Sequence, residues 1–526
     1  ASSEALTLPN PTRAPRMAAA AASPTTTTAS SRLLLLPRAA AAPSPANHLL
    51  SRHATPSLLP LRHRAVRAAP APRAFPDSVT PFNFGDDDED DTGDDHPREE
   101  CGVFGVVGDP EASSLCYLGL QKLQHRGEEG AGICAAGDDG ELKSVTGLGL
   151  VSDVFRDKAR LESLPGQAAI GHVRYSTSGH NKPNLKNVQP FLAGYRFGQL
   201  AVAHNGNLVN YNSLRNRLET QGSIFNNTSD TEVILHLIAT SLSRPLLARI
   251  CDACERLAGA YSLLFLTADK LFAVRDPFGF RPLVMGRRPN GAVVFASETC
   301  ALDLIDAVYE REVAPGEVIV VDRRDMSVSS ACLVPHRPRK SCVFEHIYFA
   351  LPNSIVFGFA QASGLEFQQG LIRSHYTGRS FIQPTQAIRD LAVKLKLAPV
   401  RGVIKGKSVV VVDDSIVRGT TSSKIVRLLR DAGAREVHMR ISSPPVVGRC
   451  HYGIDTPSEG ELISNKFDTE GVRKMIGCDS LGFLSIDKLH SIYGEEADEL
   501  CDACFTRNYP VPLPEPVPEL VSAFED

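Results

Sequence analysis

Cys101-Gly102-Val103-Phe104-Gly105-Val106-Val107 is a short apolar run of strand character, and folded sequence begins abruptly with it. Leu115, Leu118 and Leu123 follow at helical spacing, and Gln124-His125-Arg126-Gly127 closes that helix. More strand-like runs come after it: Ala168 to Val173, Leu200 to His204, Tyr261 to Leu266, Leu271 to Val274, Val293 to Phe295 and Val318 to Val321. Many short strands with few helices predict a layered β structure with helical cover.

The sequence before Cys101 has a different character. From Ala5 to Pro76 there is no Asp or Glu, while Ala, Ser, Thr and Pro abound and Arg residues are dispersed throughout. Basic, hydroxyl-rich and acid-free sequence reads as an organelle transit peptide over 1–76, with plastid preferred over mitochondrion for its length and Ser/Thr/Ala bias. Residues 77–100 hold Asp86-Asp87-Asp88-Glu89-Asp90-Asp91, a self-repelling run expected of a solvated linker or propeptide.

The chain has 526 residues, 43% hydrophobic and 22% charged, with a formal net charge of -4. That is the balance of a globular protein of two or three domains. It carries no basic excess for nucleic acid and no apolar stretch of about 20 residues for a membrane span. The 12 cysteines are scattered, which favours reduced thiols, catalysis or metal binding over a disulfide framework.

A cysteine that opens a domain becomes chemically special if the peptide before it is removed. A free α-amine has a pKa of about 8, so it can accept the thiol proton and serve as the base for its own side chain. Taken alone, Cys101 reads first as a small buried hydrophobe. It is accompanied by His172-Val173-Arg174-Tyr175-Ser176-Thr177, His204-Asn205-Gly206-Asn207 and Ser229-Asp230-Thr231-Glu232, each at a strand end or helix start. Arg174 could clamp a carboxylate and Asp230 could pair with an ammonium, the two charged ends of an amino acid. Asn205 and the Gly206 amide could form an oxyanion hole.

These motifs resemble the N-terminal-nucleophile glutamine amidotransferases. Arg275 to Leu283 and Ser297-Glu298-Thr299 extend the likeness. The resemblance implies a four-layer αββα sandwich over 101–340, attack on glutamine by Cys101 and oxyanion stabilisation by Asn205 and Gly206. It implies glutamine binding by Arg126, Arg174 and Asp230. Several syntheses share such a domain, so it names the ammonia donor and leaves the acceptor open.

The acceptor is read from the second half, 341–510. Ser408-Val409-Val410-Val411-Val412 has the continuous apolar character of a strand buried on both faces. It ends in Asp413-Asp414, and Ser415-Ile416-Val417-Arg418-Gly419-Thr420-Thr421 leads into a helix, followed by a strand over Glu436 to Ile441. In such a βαβ unit ligands bind at the strand's carboxyl end. Two adjacent carboxylates suit vicinal ribose hydroxyls, and a small hydroxyl-rich turn at a helix N-terminus suits a phosphate. The string resembles the phosphoribosyl pyrophosphate motif of type I phosphoribosyltransferases, which implies binding by Asp413, Asp414, Ser415, Arg418, Gly419, Thr420 and Thr421, with Mg²⁺ at Asp413 and Asp414. Gly370 to Arg379 and Phe381 to Pro384 resemble the loop that closes over that substrate.

Both halves together are similar to the amidophosphoribosyltransferases. The resemblance implies phosphoribosylamine synthesis for purines, feedback by purine nucleotides and a homotetramer. It also implies a 4Fe-4S cluster on Cys342, Cys450, Cys501 and Cys504, with zinc as the other metal that four thiolates suit. Cys251 and Cys254, also spaced Cys-Asp-Ala-Cys, read as helix packing instead. Residues 511–526 read as a tail. Family members carry a helix and a strand ending in a Val-Pro-Asp-Ser-Gly turn between the positions of Gly358 and Phe359, and here those two residues adjoin. Distortion is therefore expected from Cys342 to about Pro399. A glutaminase with a defective synthetic half, or a protein keeping only the fold, stand as alternatives.

Overall fold

The computed structural model describes residues 101–175, 184–333, 335, 337–350, 352–373, 397–454 and 456–513. The transit-peptide and linker readings over 1–100, and the greater part of the substrate-closing loop and of the tail, lie outside them.

The first half is built on two stacked antiparallel sheets. One has seven strands in the spatial order β11 (Val308–Glu312), β9 (Val284–Arg287), β10 (Val293–Ala296), β1 (Gly102–Val107), β4 (Ala168–Arg174), β2 (Gly130–Ala136) and β3 (Leu142–Leu148). The other has six, in the order β13 (Val328–Cys332), β12 (Glu317–Asp322), β8 (Lys270–Arg275), β7 (Gly259–Leu266), β6 (Gly198–Leu208) and β5 (Phe191–Tyr195). Residues alternate between two faces of a strand, so β1 turns Val103 and Val107 toward the second sheet and Phe104 and Val106 toward the outside. The inward side chains join Ile170, Leu264, Leu271, Phe295 and Ile319 in one core between the sheets. Outside the first sheet lies the helix Ala112–Lys122, whose Leu115, Cys116 and Leu120 pack on Phe104. The helices Tyr211–Thr220, Thr231–Thr240 and Leu246–Glu255 cover the second sheet. Helix, sheet, sheet, helix is the expected four-layer sandwich. Cys254 is buried and Cys251 half-buried within the helix Leu246–Glu255, as their reading as helix packing requires.

Four short strands make up two small pairings in the second half. β14 (Ser341–Cys342) runs parallel to β20 (Leu500–Cys501), and β15 (Leu371–Arg373) runs antiparallel to β16 (Leu397–Pro399). Its larger sheet is parallel, with β17 (Ser408–Asp413), β18 (Glu436–Ile441) and β19 (Ser480–Phe483) in that order. The helices Thr420–Asp431 and Thr469–Ile476 contribute Ile425, Leu429, Val472 and Ile476 to a core with Val437 and Met439.

Two expectations are corrected here. β17 is not buried on both faces: among the described residues it pairs only with β18, and Ser408 and Val410 are exposed. Its Val run is that of a central strand, and it stands at an edge. Nor does the distortion expected from Cys342 to about Pro399 show where Gly358 meets Phe359, since a regular helix, Pro352–Ser363, runs through that junction, while residues 374–396 lie outside the described ones. The helix's contact with the rest is thin. A Cβ on Gly358 would meet nothing within 4 Å, and Phe357 is 51% exposed.

Candidate active site

Strand β1 begins one residue after Cys101, which places the thiol at the end of the sheet beside the last residues of β4. Tyr175 brackets the sulfur with its backbone, its N–H and its carbonyl oxygen each 3.5 Å from Sγ. Burial pushes the thiol up to about 11, although the Tyr175 hydrogen bond and the Arg174 charge act the other way. At neutral pH the group is a thiol and needs a base.

Arg174 ends β4, half of its chemistry visible in a 3.0 Å bond from Nη1 to the Asn184 carbonyl. Asp230 stands at the N-terminus of the helix Thr231–Thr240 and accepts the Leu208 N–H at 3.0 Å. Burial alone would raise its carboxyl, but His204 close by and the Leu208 and Thr231 hydrogen bonds hold it below the usual range, so it stays anionic. Arg174 and Asp230 both lie close enough to shift the Cys101 thiol.

Asn205 and Gly206 lie in β6, where they pair with Ser262 and Tyr261 of β7. Asn205 Nδ2 is 3.4 Å from Ser297 Oγ, and the same hydroxyl accepts the Val103 N–H at 3.0 Å. Gly206 has φ +152°, and a Cβ there would collide with the Ala260 carbonyl oxygen. Only glycine adopts this backbone at such close approach. The next residue ties the loop to the second half, with Asn207 Nδ2 donating to the His451 carbonyl at 2.9 Å.

Arg126 is placed differently from the expectation. Its side chain is fully buried and its guanidinium is held by carboxylates, Glu298 at 2.5 Å and Glu345 at 2.7 Å. Its Nε donates to the Cys101 carbonyl at 3.3 Å. The sequence offered Glu298 only as part of a motif and Glu345 only as a neighbour of Cys342. A single acid among Val343, Phe344 and Ile347 was the available sign that a buried cation must meet it. Burial opposes ionisation of Glu298, yet the His125 hydrogen bond and the Arg126 charge bring it down to about 2 from 4.5. A depressed carboxyl stabilises the fold above its unfolded pKa and loses that contribution as pH falls. Calorimetry of the wild type and Glu298→Gln should therefore show a stability difference that is full above pH 4.5 and vanishes on acidification toward pH 2.

At the other centre, Asp413 ends β17 and Asp414 begins the turn. The carbonyls of both are anchored by the N–H groups of Ser442 and Ser443, at 2.9 and 3.0 Å, beyond β18. Ser415 Oγ donates to Asp414 Oδ2 at 2.6 Å. Gly419, at φ +86°, caps the helix Thr420–Asp431, so Thr420 and Thr421 lie in its first turn. Arg418 pairs with Glu461 at 2.9 Å.

Cys342, Cys450, Cys501 and Cys504 line one small cavity, walled otherwise by apolar groups including Phe280, Phe344, Val417 and Tyr452. Burial raises the Cys342 thiol to about 12 and those of Cys501 and Cys504 well above the ordinary range, and the neighbouring cysteines add to it. Among the described residues no group of three or more His, Cys, Asp or Glu converges on a point where one metal ion would sit.

A glutamine amidotransferase domain model matches residues 174–304. Chloroplastic amidophosphoribosyltransferase 1 of Arabidopsis thaliana is 60% identical over 472 residues, covering 82% of this chain and 82% of that protein. The chloroplastic enzyme of Vigna aconitifolia is 63% identical, over 80% of this chain and 93% of its own. The chain belongs to the amidophosphoribosyltransferase family.

The solved glutamine phosphoribosylpyrophosphate amidotransferase of B. subtilis, complexed with ADP and GMP, agrees with a TM-score of 0.73 at 42% identity, over 79% of this chain and 98% of that one. The activity is accordingly that of a glutamine-dependent pentosyltransferase making 5-phosphoribosylamine, the first step of purine synthesis. The chloroplastic plant relatives agree with the plastid address read over 1–76. Eighty-two per cent of 526 residues is about 431, so about 41 of the 472 aligned positions face no residue of this chain.

Proposed function

We propose that Cys101, once it is the first residue, is nucleophile and base in one. Its α-amine takes the thiol proton, the sulfur attacks the glutamine amide carbon, and ammonia leaves with that proton as the thioester forms. Water then releases glutamate. Asn205 Nδ2 and the Gly206 N–H stabilise the oxyanion, while Arg174 and Asp230 bind the α-carboxylate and α-ammonium of glutamine. The observation that carries this reading is the convergence of Arg174 and Asp230, of opposite charge, on one buried thiol. Arg126 is reassigned from contacting glutamine to holding the Cys101 carbonyl, because its guanidinium is committed to two carboxylates.

Ammonia displaces pyrophosphate at C1 of the ribose in the second half. Asp413 and Asp414 accept the ribose hydroxyls, and the turn from Ser415 to Thr421 binds phosphate at the N-terminus of its helix. Two carboxylates are a sufficient protein share for Mg²⁺, which normally completes its shell from waters and substrate phosphates. When bound, Mg²⁺ supplies charge neutralisation to the leaving pyrophosphate. With glutamine labelled in its amide nitrogen, the label is expected in phosphoribosylamine, trapped as it forms. Label in free ammonia alone would contradict the coupling.

The four thiols would hold a 4Fe-4S cluster, since they line one apolar cavity and four thiolates are its usual ligand set, with a single zinc ion as the other metal they suit. Such a group supplies a covalent tie between the segments bearing Cys342, Cys450 and the Cys501–Cys504 pair. Anaerobically purified protein is expected to be brown. Cys501→Ser should bleach its visible absorption and Cys251→Ser should leave it intact, whereas colourless active protein with stoichiometric zinc would reverse the assignment. The relative's ADP and GMP support control by purine nucleotides here, acting on a homotetramer.

A further inference from the structure

The helix Val343–Tyr348 starts directly after Cys342, yet its chemistry is directed at the first half of the chain. Glu345 is 8% exposed and pairs with two buried cations, Arg126 at 2.7 Å and Arg281. Phe349, one turn further on, lies under the same guanidinium, its ring centroid 4.2 Å from Arg126 Cζ. Arg126 is thus gripped from the second half by a carboxylate and a ring. The same guanidinium holds the backbone carbonyl of the nucleophile at 3.3 Å. Glu298 is its other carboxylate partner and belongs to the first half, so it cannot report on the second.

We propose that Glu345 is a positioning residue for glutamine cleavage: acting through Arg126, it sets the Cys101 backbone in its reactive place, so the first half turns over only when the helix after Cys342 is seated. The arrangement explains why an acid occupies the apolar face of a short helix. It also gives a physical route by which changes around the cysteine-lined cavity reach the glutamine site. The Cys101 sulfur and the oxyanion groups must be aligned to a fraction of an ångström, so a small release of the carbonyl is costly.

The inference rests on Cys101 being the glutaminase nucleophile, and the test separates the two claims. Glutamine hydrolysis and the rate of Cys101 alkylation by iodoacetamide are measured on the processed chain and on Glu345→Gln, alongside melting temperature and visible spectrum. Glu345→Gln is expected to lower kcat for glutamine roughly 10- to 100-fold with KM little changed, and to slow alkylation, while melting and spectrum hold. Glu345→Asp, which keeps the charge, should recover part of the rate. Unchanged kcat and alkylation in folded Glu345→Gln would overturn the proposal. If that variant does not fold, Glu345→Asp carries the same test, and failure of both to fold would make Glu345 a structural residue and overturn it equally. A wild-type chain that alkylates but does not hydrolyse glutamine would instead overturn the glutaminase reading, with the alkylation rates still reporting on Glu345.

Discussion

Cys101→Ser is expected to abolish glutamine-dependent turnover, by on the order of 10³-fold or more, and to leave ammonia-dependent synthesis at the wild-type level. The size of the effect follows from the chemistry that the site concentrates in one residue. A thiol pushed up to about 11 by burial has almost no thiolate at neutral pH, so the reaction depends on an intramolecular proton acceptor. Among the described residues the sulfur's hydrogen-bond partners are both backbone groups of Tyr175, neither of which is a base. Serine keeps the shape of the site, but its hydroxyl is a far weaker nucleophile with the same base. Since Asp413, Asp414 and the phosphate-binding turn belong to another sheet, supplied ammonia should still be used. The check is a pair of rates, pyrophosphate release driven by glutamine and by ammonium, and equal loss of both would contradict the division of labour.

Inserting between Gly358 and Phe359 the helix and strand that the family resemblance implies there is expected to raise ammonia-dependent synthesis by at least ~10-fold while changing glutamine hydrolysis little. The three-stranded sheet is the reason. β17 carries Asp413 at its end, and on the side away from β18 no described strand meets its backbone. Each backbone group left unpaired in a partly buried place costs roughly 1–3 kcal/mol, and uncovered Val side chains cost about 25 cal/mol per Å². A domain stable by only about 5–15 kcal/mol does not absorb several such terms without loosening. Loosening at β17 would move Asp413 and Asp414, the carboxylates proposed to receive the ribose. Pyrophosphate release from ammonium, phosphoribosyl pyrophosphate and Mg²⁺ measures the effect, and equal rates with and without the segment would contradict this account.

The two halves differed in how much of them the sequence disclosed. Strands rich in β-branched residues, such as β12 and β18, were read at nearly their true bounds because a half- or fully buried pleated surface selects those side chains. β2, Gly130-Ala-Gly-Ile-Cys-Ala-Ala, was not read as a strand at all. Its small residues are imposed by packing: a Cβ on Gly132 would run into the Gln189 carbonyl, and one on Gly130 would lie 2.8 Å from Val188. That constraint is tertiary and leaves no local strand signal. β17 shows the converse. Its Val run has the pattern of a central strand, but neighbours in space decide whether a strand is central, and among the described residues only β18 pairs with it. The residues proposed for the glutamine site, Cys101, Arg174, Asp230, Asn205 and Gly206, each came from a motif with its own polar logic. The buried link from Arg126 to Glu345 was not, because it joins residues 219 apart in the chain across two domains. Only the incongruity of an acid in an apolar helix pointed to it.

The central claim is that Cys101 acts through its own α-amine. Ammonia release from glutamine should be compared between protein that begins at Cys101 and protein that keeps Glu100 in front of it, each with and without phosphoribosyl pyrophosphate. Turnover by the first and none by the second is the predicted result. Equal turnover with Glu100 still attached would show that some other group takes the thiol proton, and would contradict the account.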